Sequence, residues 1–281
     1  MPLLAVLRDQ VGNTLILDNS PQWPGDLAQD MGSKVTYVPM SGNLGTAGAM
    51  NVAWEMANAA GVGAMISFDQ DSLPPSGLVA QLQKSMETQP QGAVQIAAIG
   101  PGRIDPRCES EMRVRLPVKL WRRHQALDAA SIVEVDHLIT SGCMISAEMF
   151  AKVGPFREDL FLDYVDIEWS LRARSLGFRL CLDSSVLMEH TIGDRIISLG
   201  GRTLLVHQPY RSYLLLRNHI LLWRSSVVGW GWLFSDLRQI ILKSILLLIL
   251  QPQRLERLKW MGKAIWHGLR SRGGPPFIST E

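Results

Sequence analysis

Ala64-Met65-Ile66-Ser67-Phe68-Asp69-Gln70-Asp71-Ser72-Leu73-Pro74-Pro75 is the stretch from which the rest of the chain is read. A short apolar run bounded by turn residues predicts a buried strand, and the Pro-Pro that follows forbids further pairing. Two carboxylates, Asp69 and Asp71, stand where the strand stops. In open α/β sheets, ligands bind beyond the carboxyl ends of the strands, where backbone groups are free and loops diverge. Two hard oxygen ligands at such an edge suit Mg2+ or Mn2+, which completes its shell from phosphate and water. The pattern points to a substrate carrying a diphosphate. The plain alternative is a solvated turn whose Asp side chains cap neighbouring N–H groups.

Upstream, Thr14 to Ser20 reads as a strand running into a polar turn. Asp18 there either accepts the ring N–H of a uracil or thymine or closes an Asx-turn on its own backbone. Pro24 to Met31 has the pattern of a short helix, and Lys34 to Pro39 that of a second strand. The run Ser41-Gly42-Asn43-Leu44-Gly45-Thr46-Ala47-Gly48-Ala49-Met50-Asn51 opens a helix reaching about Ala60. Gly45 and Gly48 permit close approach of backbone or ligand, and the helix start offers N–H groups to an anion. It is not the dinucleotide fingerprint, because Gly-x-x-Gly is too sparse and falls in the second strand–helix unit.

Downstream, Ser76 to Thr88 predicts an amphipathic helix with Leu78, Val79, Leu82 and Met86 on one face. Ala93 to Ile99 follows as a strand ending at Gly100-Pro101-Gly102. Residues 103–134 are charged and irregular; Arg103, Arg107, Arg113, Arg115, Arg122 and Arg123 suit a solvated surface or a loop attracting anionic substrate. Asp136 to Ser146 is strand-like around a Ser141-Gly142 break, where backbone can approach a bound sugar. Ser146 is placed to cap a short helix ending near Gly154-Pro155. From Val165 the spacing turns helical, with Asp166 and Glu168 in the first turn. The helix dipole favours carboxylates there, and a carboxylate presented over a cleft is also well placed to take a proton from a hydroxyl. Arg179 to Leu182 is a further strand. His190, in Met188-Glu189-His190-Thr191-Ile192-Gly193-Asp194, either completes a metal shell, meets a diphosphate or is simply packed.

The 281 residues, 47% of them hydrophobic, allow a full core. Charge is uneven: residues 1–200 hold 16 Lys and Arg against 23 Asp and Glu, and residues 201–281 hold 12 against 3. The two portions therefore face different surroundings. Cys108, Cys143 and Cys181 have no metal-ligand spacing, which fits a reducing cytoplasmic compartment. No leader pattern and no apolar run of about 18 residues is read from the sequence. Pro209 to Trp223 and Leu237 to Leu250 read as apolar helices studded with Arg and Lys, accompanied by Trp223, Trp230, Trp232, Trp260 and Trp266. Such helices suit the headgroup plane of an anionic membrane, or else pack on the body of the protein. Nucleic acid is a poor partner for basic residues interleaved with long aliphatic runs.

Leu17-Asp18-Asn19-Ser20, Asn43-Leu44-Gly45 with Ala47-Gly48-Ala49 and Asn51, Phe68-Asp69-Gln70-Asp71-Ser72, Thr140-Ser141-Gly142, Val153-Gly154-Pro155-Phe156, and Phe161 to Arg174 closing on Glu189-His190 together resemble a family 2 glycosyltransferase of the GT-A type, in its bacterial rhamnosyltransferase-like branch. The resemblance runs over roughly residues 10–225. It implies a Rossmann-like α/β fold, a mostly parallel sheet with helices on both faces. A catalytic domain over 1–200 would be followed by a basic, Trp-rich helical region over 201–281, apposed to the inner face of the cytoplasmic membrane. The same resemblance implies that Asp18 reads the base, Asp69 lies near ribose and metal, Asp71 is the main metal ligand with His190 nearby, and Asp166 is the general base. Asn43, Gly45, Asn51, Ser141, Gly142, Glu168 and Arg172 would line the donor or acceptor. Family members carry a further strand with a Thr-Tyr-Asn-like loop ahead of the segment matching Asp18, and a sheet without that strand is expected here. The implied reaction is inverting transfer, with dTDP-rhamnose the favoured donor, Mg2+ or Mn2+ as cofactor, and a glycan or lipid-linked acceptor in polysaccharide synthesis. The rival readings are an inactive nucleotide-sugar binder or membrane scaffold, and a metal-dependent nucleotide-sugar hydrolase.

Overall fold

The computed structural model describes residues 2–20, 33–88, 93–104, 113–115, 124–126, 132–189, 195–199, 202–206 and 208–276. A short helix α1 (Pro2–Leu7) precedes β1 (Thr14–Asp18), which pairs in parallel with β2 (Val35–Pro39) as a separate two-stranded unit. Helix α2 (Gly45–Ala59) leads to β3 (Ala64–Ser67), and α3 (Leu78–Glu87) to β4 (Ile96–Ile104). Strands β5 (Arg113–Arg115) and β6 (His124–Ala126) pair antiparallel with each other, and then come β7 (Ile132–Glu134), β8 (Cys143–Ser146), α4 (Ala147–Val153), α5 (Val165–Ser175) and β9 (Arg179–Glu189). A second antiparallel pair, β10 (Arg195–Leu199) and β11 (Arg202–Val206), precedes helices α6 (Pro209–Leu222), α7 (Trp230–Leu250) and α8 (Arg254–Leu269).

The central sheet has the order β3-β8-β4-β9-β7. Strand β8 runs antiparallel to both neighbours, β9 runs parallel to β4, and β7 runs antiparallel to β9. Strands β3, β4 and β9 therefore share one direction, with β8 inserted against it. Being at the edge, β3 is only half-buried, where the apolar run had predicted full burial. Strand β4 continues through Gly100-Pro101-Gly102, where a stop was expected. It does so with register shifts between Ile96 and Ala98 and between Pro101 and Gly102, and a proline without a ladder N–H is tolerated at such an irregularity.

Alternation of side chains builds two apolar layers. Met144, Cys181 and Met188 face α3, where they meet Leu78, Val79 and Leu82. Cys143, Ile145, Leu180 and Leu182 face the other way, onto α2, α4 and α5. Strand β4 departs from strict alternation at its bulge: Ala97 and Ala98 both enter the second layer, while Ile96 and Ile99 join the first. The second layer is centred on Trp54 stacked on Phe150, ring centroids 4.2 Å apart, with Phe156 tilted against Phe150 and Trp169. Leu221, Leu222, Val228 and Leu233 belong to the same cluster, so α6 and the start of α7 share the core of the sheet. The Ser146 hydroxyl accepts the Met149 N–H at 3.2 Å and caps α4 as expected. The helix read over residues 24–31, and His190, Arg107, Arg122 and Arg123, lie outside the described residues.

Candidate active site

Beyond β3 the chain makes a turn closed by the Ser72 N–H on the Asp69 carbonyl at 3.0 Å. Asp69, Gln70 and Asp71 are exposed on it, and Ser72 is buried beneath. The turn rests on the segment before β8: the Asp69 N–H donates to Ser141 Oγ at 3.4 Å, and the Ser72 and Ser141 hydroxyls bond to each other. The same segment is tied to β3, because the Gly142 N–H donates to the Ser67 carbonyl at 2.7 Å and Ser67 Oγ donates to the Thr140 carbonyl at 2.6 Å. Gly142 has φ +79°, and a Cβ there would stand 2.9 Å from Pro101 Cδ, so its approach is to backbone and core within the chain. Leu73 bridges to Glu189, which brings the residue before His190 beside this turn.

Asp166 lies on the other side of the same segment. The N–H groups of Thr140 and Ile167 stabilise its carboxylate, the latter donating at 2.8 Å. Burial is the larger effect and pushes its pKa up to about 6. The carboxyl lines a cavity of about 20 Å³ with Ser67, Thr140, Cys143 and Trp169, a volume on the scale of one water molecule. Arg103, at the end of β4, is close enough for its charge to act on Asp166 and Cys143. Thus Thr140-Ser141-Gly142 adjoins both acidic elements: Ser141 bonds to the Asp69–Asp71 turn, and Thr140 lines the same small cavity as Asp166.

The start of α5 is fixed from the C-terminal helices. Asn218 Nδ2 donates to the carbonyls of Leu160 at 2.7 Å and Asp163 at 2.6 Å. The buried Arg217 donates to the Leu160 and Gly274 carbonyls, and Arg211 pairs with Asp163 at 3.2 Å. These contacts hold Phe161 at φ +67° and Tyr164 at φ +71°, a left-handed backbone that bulky residues adopt only when their surroundings impose it. Tyr164 in turn donates its hydroxyl to Asp236 of α7. The Trp223 indole N–H donates to His219 Nε2 at 2.9 Å, so His219 Nδ1 carries the proton it shares with Asp236 at 3.0 Å.

Several residues assigned to ligand in the sequence are engaged within the fold. Asp18 accepts the Ser20 N–H at 2.8 Å and the Tyr37 hydroxyl, bonds that lower its pKa; the Asx-turn alternative is the arrangement present. Asn43 Oδ1 accepts the Gly45 N–H at 2.9 Å, Asn19 accepts the Leu44 N–H, and the Phe161 carbonyl accepts the Ala47 N–H. Those donors of the α2 start that were read as open to an anion are therefore occupied. Gly45 has φ +67° and faces Phe161, whose carbonyl oxygen would be 2.2 Å from an added Cβ. Asn51 exchanges hydrogen bonds with the Phe156 backbone, both at 2.9 Å, and donates to Glu158. Glu168 is buried and pairs with Arg172 through both its oxygens, while Arg172 also donates to the Val153 and Pro155 carbonyls. Asn51, Glu168 and Arg172 thus clamp the loop between α4 and α5, and the sequence had placed them at a ligand.

Residues the sequence reading left out are the Thr140 N–H, Tyr164, His219 and Asp236; Arg103 was counted only with a loop. Asp236 did leave a signal, as the single acid in a Trp-rich apolar helix. Asp69 and Asp71 fit a divalent cation by donor chemistry: both are exposed at a strand end, two carboxylates suffice, and phosphate supplies the rest. Among the described residues no group of three or more His, Cys, Asp or Glu is gathered around a common point.

No protein-family model matches the chain. It is 29% identical over 279 residues to the dTDP-rhamnosyl transferase RfbF of Shigella flexneri, covering 97% of this chain and 91% of that protein. Its fold matches Staphylococcus aureus TarS with a TM-score of 0.56 and 11% identity over 96% of this chain. It also matches GalNAc-T7, crystallised with UDP, GalNAc and Mn2+, with a TM-score of 0.50 and 12% identity over 95% of this chain. The chain spans 46% of the TarS chain and 52% of the GalNAc-T7 chain. The chain accordingly has the GT-A glycosyltransferase fold and is similar, over nearly its whole length, to a dTDP-rhamnosyl transferase.

Proposed function

We propose that this protein is an inverting glycosyltransferase that moves a sugar from a nucleoside-diphosphate donor, with dTDP-rhamnose favoured, to a hydroxyl of a glycan or lipid-linked acceptor in cell-surface polysaccharide synthesis. The observation carrying this reading is that one segment, Thr140-Ser141-Gly142, adjoins both acidic elements: Ser141 is hydrogen-bonded to the Asp69–Asp71 turn, and Thr140 lines the same small cavity as Asp166. A carboxylate with its pKa near 6 is ionised at neutral pH yet basic enough to accept a hydroxyl proton as the oxygen attacks. Asp166 takes that proton while the new C–O bond forms and the bond from the anomeric carbon to the diphosphate breaks. Attack and departure occur on opposite faces, so a single carboxylate beside the acceptor is enough, unlike the flanking pair of a glycosidase.

Asp69 and Asp71 would hold Mg2+ or Mn2+ together with the donor phosphates. A divalent ion there supplies Lewis-acid stabilisation of the charge on the leaving diphosphate. The similarity to a dTDP-rhamnosyl transferase supports rhamnose as the sugar, and the GalNAc-T7 complex supports a nucleotide-sugar donor with a divalent metal. The working location in this reading is the inner face of the cytoplasmic membrane, where a lipid-linked acceptor would stand. The deciding experiment incubates the protein with Mn2+ and labelled dTDP-rhamnose or UDP-sugars, with and without a lipid-linked acceptor. Acceptor-dependent product is expected. Free sugar alone would identify a hydrolase, and binding without turnover an inactive binder.

A further inference from the structure

Helix α7 buries only Leu233, Asp236 and Leu247. Its outer side is a stripe of Trp230, Phe234, Ile241, Leu242, Ile245 and Ile249, between 48 and 62% exposed. At 1.5 Å per residue this 21-residue helix carries the stripe for roughly 30 Å. The neighbouring α8 leaves Leu255, Ile265, Trp266 and Leu269 exposed as well. An exposed apolar stripe of that extent on a protein surface marks a partner.

The charges identify which partner. Residues 201–281 carry 12 Lys and Arg against 3 Asp and Glu. The Arg270 guanidinium stacks on Trp266 at 3.6 Å from the ring centroid, and the Lys263 ammonium lies 5.0 Å over Trp260. These pairs place cations at the border of the apolar surface, beside amphipathic rings. A second copy of this chain would bring a like-charged border against it. A nucleic acid would leave the aliphatic stripe in water. An anionic lipid surface satisfies both halves: acyl chains and the headgroup boundary take the stripe, and lipid phosphates take the Lys and Arg. Among the described residues no helix is long and apolar enough to cross a membrane, so α7 and α8 would lie in the surface plane.

We propose that the outer face of α7 and α8 docks on an anionic lipid bilayer. The inference deepens the membrane-side part of the reading above and rests on it only for the purpose of docking. The test is co-sedimentation of the full chain with phosphatidylcholine vesicles, with and without phosphatidylglycerol, at low and high salt. Binding is expected to be about tenfold or more stronger on the anionic vesicles and to weaken with salt. The double variant Ile241→Glu/Ile245→Glu should abolish it with an unchanged circular dichroism spectrum. Should that variant fail to fold, Lys259→Glu/Lys263→Glu, at two exposed positions, should still weaken binding to anionic vesicles and not to neutral ones. Absence of vesicle binding, equal binding to neutral and anionic vesicles, or a dimer in light scattering that Ile241→Glu/Ile245→Glu disperses would each overturn the proposal. Transfer to a short soluble acceptor, measured in parallel, separates the two readings. Transfer without vesicle binding removes only the docking surface, and vesicle binding without transfer removes only the enzyme.

Discussion

The Tyr164 hydroxyl donates a hydrogen bond to the Asp236 carboxylate, joining the residue that precedes α5 to the first half of helix α7. Both side chains are buried, and His219 donates to the same carboxylate. A buried carboxylate that loses one of two donors keeps most of its desolvation cost and forfeits the compensation. Tyr164→Phe should therefore lower stability by about 1–3 kcal/mol. Because Tyr164 lies two residues before Asp166, transfer should fall more than the loss of folded protein explains, while donor binding is unchanged. Urea unfolding paired with kcat and KM checks this; a variant that loses stability alone would reduce the bond to packing.

Asp166→Asn should abolish transfer and leave donor affinity largely intact. The wild-type rate should climb with pH through about 6 as the carboxylate ionises. Its folded pKa lies above the ordinary value of about 3.9, so the stability it contributes is complete below that value and lost as pH rises through about 6. The Asn variant lacks this loss. It should be about 3 kcal/mol more stable than wild type near pH 8 and nearly equal to it near pH 4, measured by thermal unfolding across that range.

Asp71 is exposed, so Asp71→Asn should leave stability within about 0.5 kcal/mol. If it is the main metal ligand, the Mn2+ concentration giving half-maximal activity should rise by at least about tenfold. An unchanged Mn2+ titration would move the ion to another site.

Glu168 and Arg172 form an ion pair at 3.0 Å with the acid buried, and Arg172 also grips the Val153 and Pro155 carbonyls. Removing one partner of such a pair strands the other charge. Glu168→Ala should cost about 3 kcal/mol in chemical denaturation. A substrate ligand would instead show raised KM with stability preserved, so the two measurements distinguish the clamp from a binding role.

What the sequence disclosed was mostly local. The apolar spacing of Leu78, Val79 and Leu82, the Ser146 cap and the onset of α5 at Val165 each depend on neighbours within a turn or two, and each is present as read. The direction of β8 and the edge position of β3 depend on strands brought together from far along the chain, which periodicity does not encode. Asn51 shows the same limit. Its amide pairs with Phe156, 105 residues away, while its sequence context looked like a ligand-facing helix start. The candidate acidic residues, Asp69, Asp71 and Asp166, stand out in the sequence because charge at a strand end or a helix start is chemically conspicuous. Their supports, Thr140 and Ser141, act through a backbone N–H and a short hydroxyl that leave little mark.

Since Ser141 braces the Asp69–Asp71 turn and the adjoining Thr140 lines the cavity beside Asp166, sequence change in this region is bound to be epistatic. A library that varies residues 67, 72, 101 and 140–142 one at a time would mostly recover damaged protein, since these residues are packed and hydrogen-bonded to one another. Retuning the sugar or the acceptor by directed evolution calls for mutating those positions as one cassette.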